Sequence, residues 1–369
     1  MYLFAAGSYT SHSMVNSRGS GISVYSMNSE GRCRLIGVNS GVENPSFLHW
    51  DKISKTLFAV SEMEENSGSV VSLSVDTEKL LRSGGGEGIE ILSVRKGPGK
   101  DGCHIISVPR KKLLGAAAYS GGSAAFYPLD GNGIIGSESI GYEYSGSGPD
   151  KSRQEKAHAH QIVPAPDAGF IFTVDLGSDT IWRHKTAEKY SGRIVSEPEA
   201  TLKLPGGFGP RHMVFSPDGS KAYILCELKP YLTTADYSRE TGDFRITDSV
   251  LTVPENNVLS EKTAPAAIKV HPSGKTIAVS NRFHDSISIF DISESRVFPV
   301  LVENFSSAGK IPRDISFSPD GRFLLAANQD SHNITVFRFD RVTGLPEKEK
   351  PQPVHNFQSG SPVCIVFLQ

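Results

Sequence analysis

GPRHMVFSPDGSKAYILCE (209–227), APAAIKVHPSGKTIAVSNR (264–282) and IPRDISFSPDGRFLLAANQ (311–329) are three copies of one pattern. An alternating apolar run meets a Pro-x-Gly turn, and a second alternating run follows. Each copy therefore reads as a β-hairpin. In Ser-Pro-Asp-Gly and His-Pro-Ser-Gly the proline has the fixed φ that a turn favours, and the glycine tolerates positive φ. A third strand with period two follows in the best-defined copies, at Ser286–Phe290 and Asn333–Phe337.

Weaker copies extend the pattern across the chain: NPSFLHWDKISKTLFAVSE (44–62), GCHIISVPRKKLLGAAAYSGGSAAFYPL (102–129), AHAHQIVPAPDAGFIFTVDLGSDTIWRH (157–184) and the single strand SPVCIVF (361–367). The residues opening the seven copies are Pro45, Gly102, Ala159, Pro210, Pro265, Pro312 and Pro362. Their mean spacing of about 53 residues lies in the range of propeller blades, and the length of the chain holds about seven of them. The expected fold is all-β, a seven-bladed β-propeller of four-stranded antiparallel blades in one domain, 1–369. The last copy has one strand, while residues 1–27 offer two strands (MYLFAAGSYT, GISVYSM) without an inner one. The C-terminal strand is therefore expected to be innermost in a blade whose outer strands come from the N-terminus, which closes the ring and removes open edges. Segments 81–89, 144–156 and 228–262 read as loops.

The strings AHAHQIV, VDLGSDTIWR, GFGPRHMVFSPDGSKAYILCE, IKVHPSGKTIAVSNRFHDSISIF and AYSGGSAAFYPL resemble the lactonase propellers, over essentially the whole chain. That family groups bacterial 6-phosphogluconolactonases of the seven-bladed kind with fungal carboxy-cis,cis-muconate cyclases. The resemblance implies a site made of His160 in AHAHQ, Arg211 in GPRH, Glu227 in ILCE and Arg282 in SNR. The sequence departs from the family's usual pattern at His158-Ala159-His160, where His-Pro-His is common, and at Ala118, where an Asn often precedes Tyr-Ser-Gly-Gly.

A hairpin's first strand begins, and its second ends, at the same edge of a blade. His160 and Arg211 begin first strands; Glu227 and Arg282 end second strands. All four are thus expected at one mouth of the central channel, with Arg313 beside them in the Arg211 slot of a further blade. Opening a lactone requires an activated water and stabilisation of the oxyanion. Arginine's rigid fork suits carboxylate or phosphate oxygens, so Arg211 and Arg282 are read as holding the substrate anion and oxyanion. Either His160 or Glu227 is the base, and the other orients it or protonates the leaving hydroxyl. The plainer reading of Arg211 and Glu227 is a structural ion pair.

Other signals are weaker. His158 and His160 form an H-x-H without a third ligand at a telling spacing, so no metal is expected, and no cofactor. Trp50-Asp51 occurs once and is not a repeat signature. His104, His212 and His271 fall near repeat starts and read as structural. Tyr119-Ser120-Gly121-Gly122 leads into no helix, which weakens a phosphate-loop reading, and no G-x-S-x-G elbow is present. The 38 Lys and Arg nearly balance the 40 Asp and Glu, so a nucleic-acid footprint is not supported. Residues 1–10 lack the features of a signal peptide, no stretch reaches membrane-span length, and the four cysteines form no CxxC pair. The expectation is a cytosolic lactone hydrolase acting on a small anionic metabolite, 6-phosphogluconolactonase-like and metal-independent. A muconate cyclase-like enzyme and a non-catalytic scaffold propeller are the alternatives.

Overall fold

The computed structural model describes residues 1–13, 15–83, 88–187, 192–255, 262–293 and 298–369. They form seven four-stranded sheets, each pairing its strands antiparallel. The innermost strands of blades two to seven open at Pro45, Gly102, Ala159, Pro210, Ala264 and Pro312. Each contacts the innermost strands on both sides, so the sheets close a ring.

Blade one joins the two chain ends. Pro362–Phe367 is innermost and pairs antiparallel with Tyr2–Ser8, which is followed outward by Ile22–Met27 and Cys33–Asn39. The N-terminal segment thus supplies three strands, one more than residues 1–27 announce. The ring is sealed by main-chain hydrogen bonds rather than by side chains alone, and the otherwise open edge is removed.

The turns follow from their residues. In Ser318-Pro319-Asp320-Gly321 the Gly321 amide donates to the Ser318 carbonyl at 2.8 Å, and Ser318 Oγ donates to Asp320 Oδ1 at 2.9 Å. Gly321 has φ +75°, a region open to glycine at little cost. Alternation then divides each second strand between two neighbours. Leu324 and Ala326 pack into the core shared with blade six, and Phe323, Leu325 and Ala327 into that shared with blade one. A strand buried on both faces reads as a continuous apolar run. Among the described residues, seven such cores lie one at each blade junction.

Two loop expectations are corrected. Segment 228–262 contains the outer strands Tyr231–Tyr237 and Phe244–Leu251 of blade five. In the first, the buried polar residues Thr233 and Thr234 interrupt the apolar pattern, and the second is only partly covered; residues 256–261 lie outside the described residues. Segment 81–89 includes the end of the helix Thr77–Ser83 and the first residue of strand Ile89–Lys96, with 84–87 outside the described residues. Segment 144–156 holds no strand. The cysteines are unpaired, and Cys103, Cys226 and Cys364 are buried.

Candidate active site

Two repeated positions of the blade build the site. The first is a bulge near the start of the innermost strand. The pairing register slips between Gly102 and His104, Ala159 and Gln161, Pro210 and His212, and Pro312 and Asp314. Cys103, His160, Arg211 and Arg313 sit in those slips, where a residue leaves the ladder and its side chain is re-aimed. The second position closes the second strand: Glu62 after Ser61, Tyr119 after Ala118, Glu227 after Cys226, and Arg282 itself.

These side chains line one cavity of about 220 Å³. His160, Arg211, Glu227, Arg282 and Arg313, the five expected together, are all in its wall. Sequence reasoning missed His12, Glu62, Glu64, Asp101, Tyr119, Ser120 and Arg153, which also line it. The signal for Glu62 was present, since TLFAVSE ends on a carboxylate as AYILCE does.

Glu227 is the charge centre of one half of the cavity. Its Oε2 lies 2.9 Å from Arg211 Nε and 2.7 Å from Arg282 Nη2, and its Oε1 lies 2.6 Å from Arg153 Nη2. Burial alone would raise its affinity for a proton, but Arg282, Arg211 and Arg153 outweigh it and hold the carboxyl well below the usual carboxylate range. The Arg211 side chain is only 4% exposed. Burial, with Arg282 next, brings its pKa down to about 9, which still leaves it cationic at neutral pH. Arg153 comes from segment 144–156 and also donates through Nη2 to the Tyr119 hydroxyl at 3.1 Å. The fully buried Gln154 anchors that loop, donating from Nε2 to the Leu176 carbonyl at 2.9 Å.

Glu62 is the charge centre of the other half. Tyr9 donates its hydroxyl to Oε2 at 2.8 Å, Arg313 Nη2 lies 3.7 Å from the same oxygen, and His12 Nε2 lies 3.5 Å from Oε1. Burial opposes ionisation here too, yet His12, Arg313 and Tyr9 keep Glu62 below the ordinary value.

His160 packs edge-on against Tyr119 at 5.7 Å and His212 at 5.3 Å between ring centroids. Its Nδ1 is buried without a hydrogen-bond partner. Burial, then Arg211, pushes its proton affinity well below the usual histidine value, so the ring is a neutral imidazole. Beneath it His212 packs on His104 at 5.8 Å, and His104 on Phe47 at 4.2 Å. Burial keeps both neutral as well. His158 is turned to another task. It stacks on Tyr119 at 4.3 Å, and its Nε2 meets Glu155 Oε2 at 3.1 Å. Blade three, where Ala118 departs from the family pattern, thus still supplies Tyr119 and Ser120 to the wall.

The cavity gathers four guanidinium groups and a neutral imidazole around two ionised, buried carboxylates. Such a place can hold an anion, stabilise a developing oxyanion and move a proton. Among the described residues, no helix is long and apolar enough to cross a membrane.

The family model described as lactonase, 7-bladed beta-propeller, matches residues 4–367. A 6-phosphogluconolactonase of Bacillus subtilis is 28% identical over 88% of this chain and 87% of its own length. One from Formosa agariphila is 29% identical over 92% and 94%. The solved periplasmic gluconolactonase of Pseudomonas aeruginosa is 25% identical, covers 100% of this chain and 99% of its own, and has a TM-score of 0.83.

Proposed function

The chain belongs to the lactonase, seven-bladed β-propeller family, and on that premise we propose that it hydrolyses a sugar-acid lactone of the 6-phosphoglucono-δ-lactone kind. The observation that carries this reading is the convergence of Arg153, Arg211, Arg282 and Arg313 on one small cavity beside a neutral His160. Arg153, Arg211 and Arg282 meet the single carboxylate of Glu227, which leaves positive charge in that half of the cavity for a phosphate and for the carbonyl oxygen as it becomes an oxyanion.

In this scheme water attacks the lactone carbonyl while His160 accepts its proton. Arg211 and Arg282 take up the charge on the carbonyl oxygen, and Arg313 holds the substrate's anionic group. Glu227 does not transfer the proton. Three cations keep it ionised, and its task is to hold their forks in one orientation. No step draws on a metal. The four unpaired thiols favour a reducing compartment such as the cytosol.

Crystals soaked with 6-phosphogluconate, the product acid, test the site. Density between Arg211, Arg282 and Arg313 is expected. A cavity that stays empty while the acid binds elsewhere would remove the assignment.

A further inference from the structure

The lactone scheme does not yet say which group protonates the ring oxygen. When the tetrahedral intermediate collapses, the ring oxygen leaves as an alkoxide and needs a proton. Glu227 is held ionised by its three arginines and has no proton to give; His160 carries the water proton by then and is one donor, and the cavity holds a second group placed to be another.

Across the cavity stands an imidazole of opposite character. Nine-tenths of the His12 side chain is covered, with Nε2 3.5 Å from Glu62 Oε1 and Nδ1 3.8 Å from Glu64 Oε1. A carboxylate thus faces each ring nitrogen, an arrangement that favours the doubly protonated ring. Tyr9 packs on the ring at 4.6 Å. The segment carrying it is firmly built. The Thr10 and Ser11 amides donate to Asn44 Oδ1 at 2.8 and 2.9 Å, and Asn44 Nδ2 donates to the Glu62 carbonyl at 3.2 Å. Asn44 itself has φ +43°, a conformation that asparagine accepts more readily than most residues. One side chain therefore ties the His12 segment to the strand end that presents Glu62.

We propose that His12, held between Glu62 and Glu64 at the wall of the cavity, is the acid that protonates the ring oxygen as the lactone opens; this rests on the lactone-hydrolase reading. Water's oxygen bonds to the carbonyl carbon as His160 takes its proton, and the carbonyl electron pair moves onto oxygen. The pair returns, the bond from carbon to ring oxygen breaks, and the ring oxygen takes the proton of His12. Solvent then removes the proton from His160 and restores that of His12, so the net change is one added water. Among the described residues, the charged and titratable groups facing His12 include Tyr9 on its own segment, Glu62 and Glu64 after the second strand of blade two, Asp101 before blade three and Arg313 of blade seven. The hydrogen bond to Glu62 raises the imidazole's proton affinity, against the opposing effects of burial and Arg313.

The test compares unaltered enzyme, His12→Gln and Glu62→Gln on 6-phosphoglucono-δ-lactone across pH. In His12→Gln, kcat is expected to fall by about 100-fold or more, with KM changed by less than about 3-fold and the alkaline limb of the kcat profile gone. Glu62→Gln is expected to move that limb to lower pH. Retention of kcat within about 3-fold in His12→Gln, or an alkaline limb unmoved in both variants, overturns the proposal. Proton NMR of the unaltered enzyme gives a reading that needs no variant to fold: the His12 ring is expected to titrate above 6.5, and titration below that value overturns it. Failure of the lactone reading is seen separately, as unaltered enzyme that accelerates no lactone.

Discussion

Glu62 and Glu227 close the second strands of blades two and five at equivalent places, and each meets a guanidinium group across the same cavity. Arg211 Nε is 2.9 Å from Glu227, and Arg313 Nη2 is 3.7 Å from Glu62. The repeat of the fold thus becomes a site with two charge centres, one crowded with arginines and one carrying histidine and tyrosine. The consequences are open to measurement.

Glu227→Gln keeps the shape but removes the charge that three cations share. Breaking a buried ion pair by neutralising one partner costs about 3–5 kcal/mol, so the denaturation midpoint is expected to fall. The arginines lose their common anchor, and kcat/KM is expected to drop by about 100-fold or more. Urea denaturation and stopped-flow kinetics read the two effects. A stable, fully active variant would reduce Glu227 to a bystander.

Arg282→Ala removes a group that contacts the Glu227 carboxylate at 2.7 Å and is assigned to the oxyanion. Loss of one oxyanion donor costs about 100- to 1,000-fold in kcat. Arg282→Lys is expected to recover only part of this, because an ammonium group lacks the guanidinium fork. Steady-state rates of both variants decide; equal activity of the lysine and arginine forms would contradict the assignment.

His160, His212 and His104 each have a proton affinity below the ordinary histidine value, chiefly through burial. The unfolded chain therefore binds more protons than the fold as pH drops below 6.5. Stability is full above that pH and falls toward the lowered folded values, by about 1.4 kcal/mol per pH unit for each group. Unfolding free energies measured from pH 7 to pH 5 are expected to show this slope, reduced in His212→Asn. A flat profile in the parent would mean that the imidazoles are not neutral in the fold.

Leu325→Ala empties part of the core between blades seven and one, at a fully buried position. A loss of about 2–5 kcal/mol is expected, with kcat unchanged because Leu325 is not in the wall of the cavity. Calorimetry and kinetics on the same sample test both halves of that statement.

The ring, its closure and the turns were legible because Pro-x-Gly and two-residue alternation are local signals, and the strand ends placed Glu227 and Arg282 at the edge shared with His160 and Arg211. Residues 231–237 and 244–251 were not, since buried Thr233 and Thr234 break the apolar pattern of the first strand and the second is only partly covered. The bulges at His160, Arg211 and Arg313 were hidden as well, because a register slip belongs to the pair of strands and not to either sequence. Arg153 reaches Glu227 from a loop across 74 residues, and no spacing announces such a contact. Glu62 was readable in principle from the matching ends of TLFAVSE and AYILCE.

The central claim, that the arginine-lined cavity opens a phosphorylated sugar lactone, is tested most directly by stopped-flow decay of 6-phosphoglucono-δ-lactone with and without the protein. Decay well above the spontaneous rate, proportional to protein concentration and lost in Glu227→Gln, is the predicted result. Decay at the spontaneous rate at every protein concentration would contradict it.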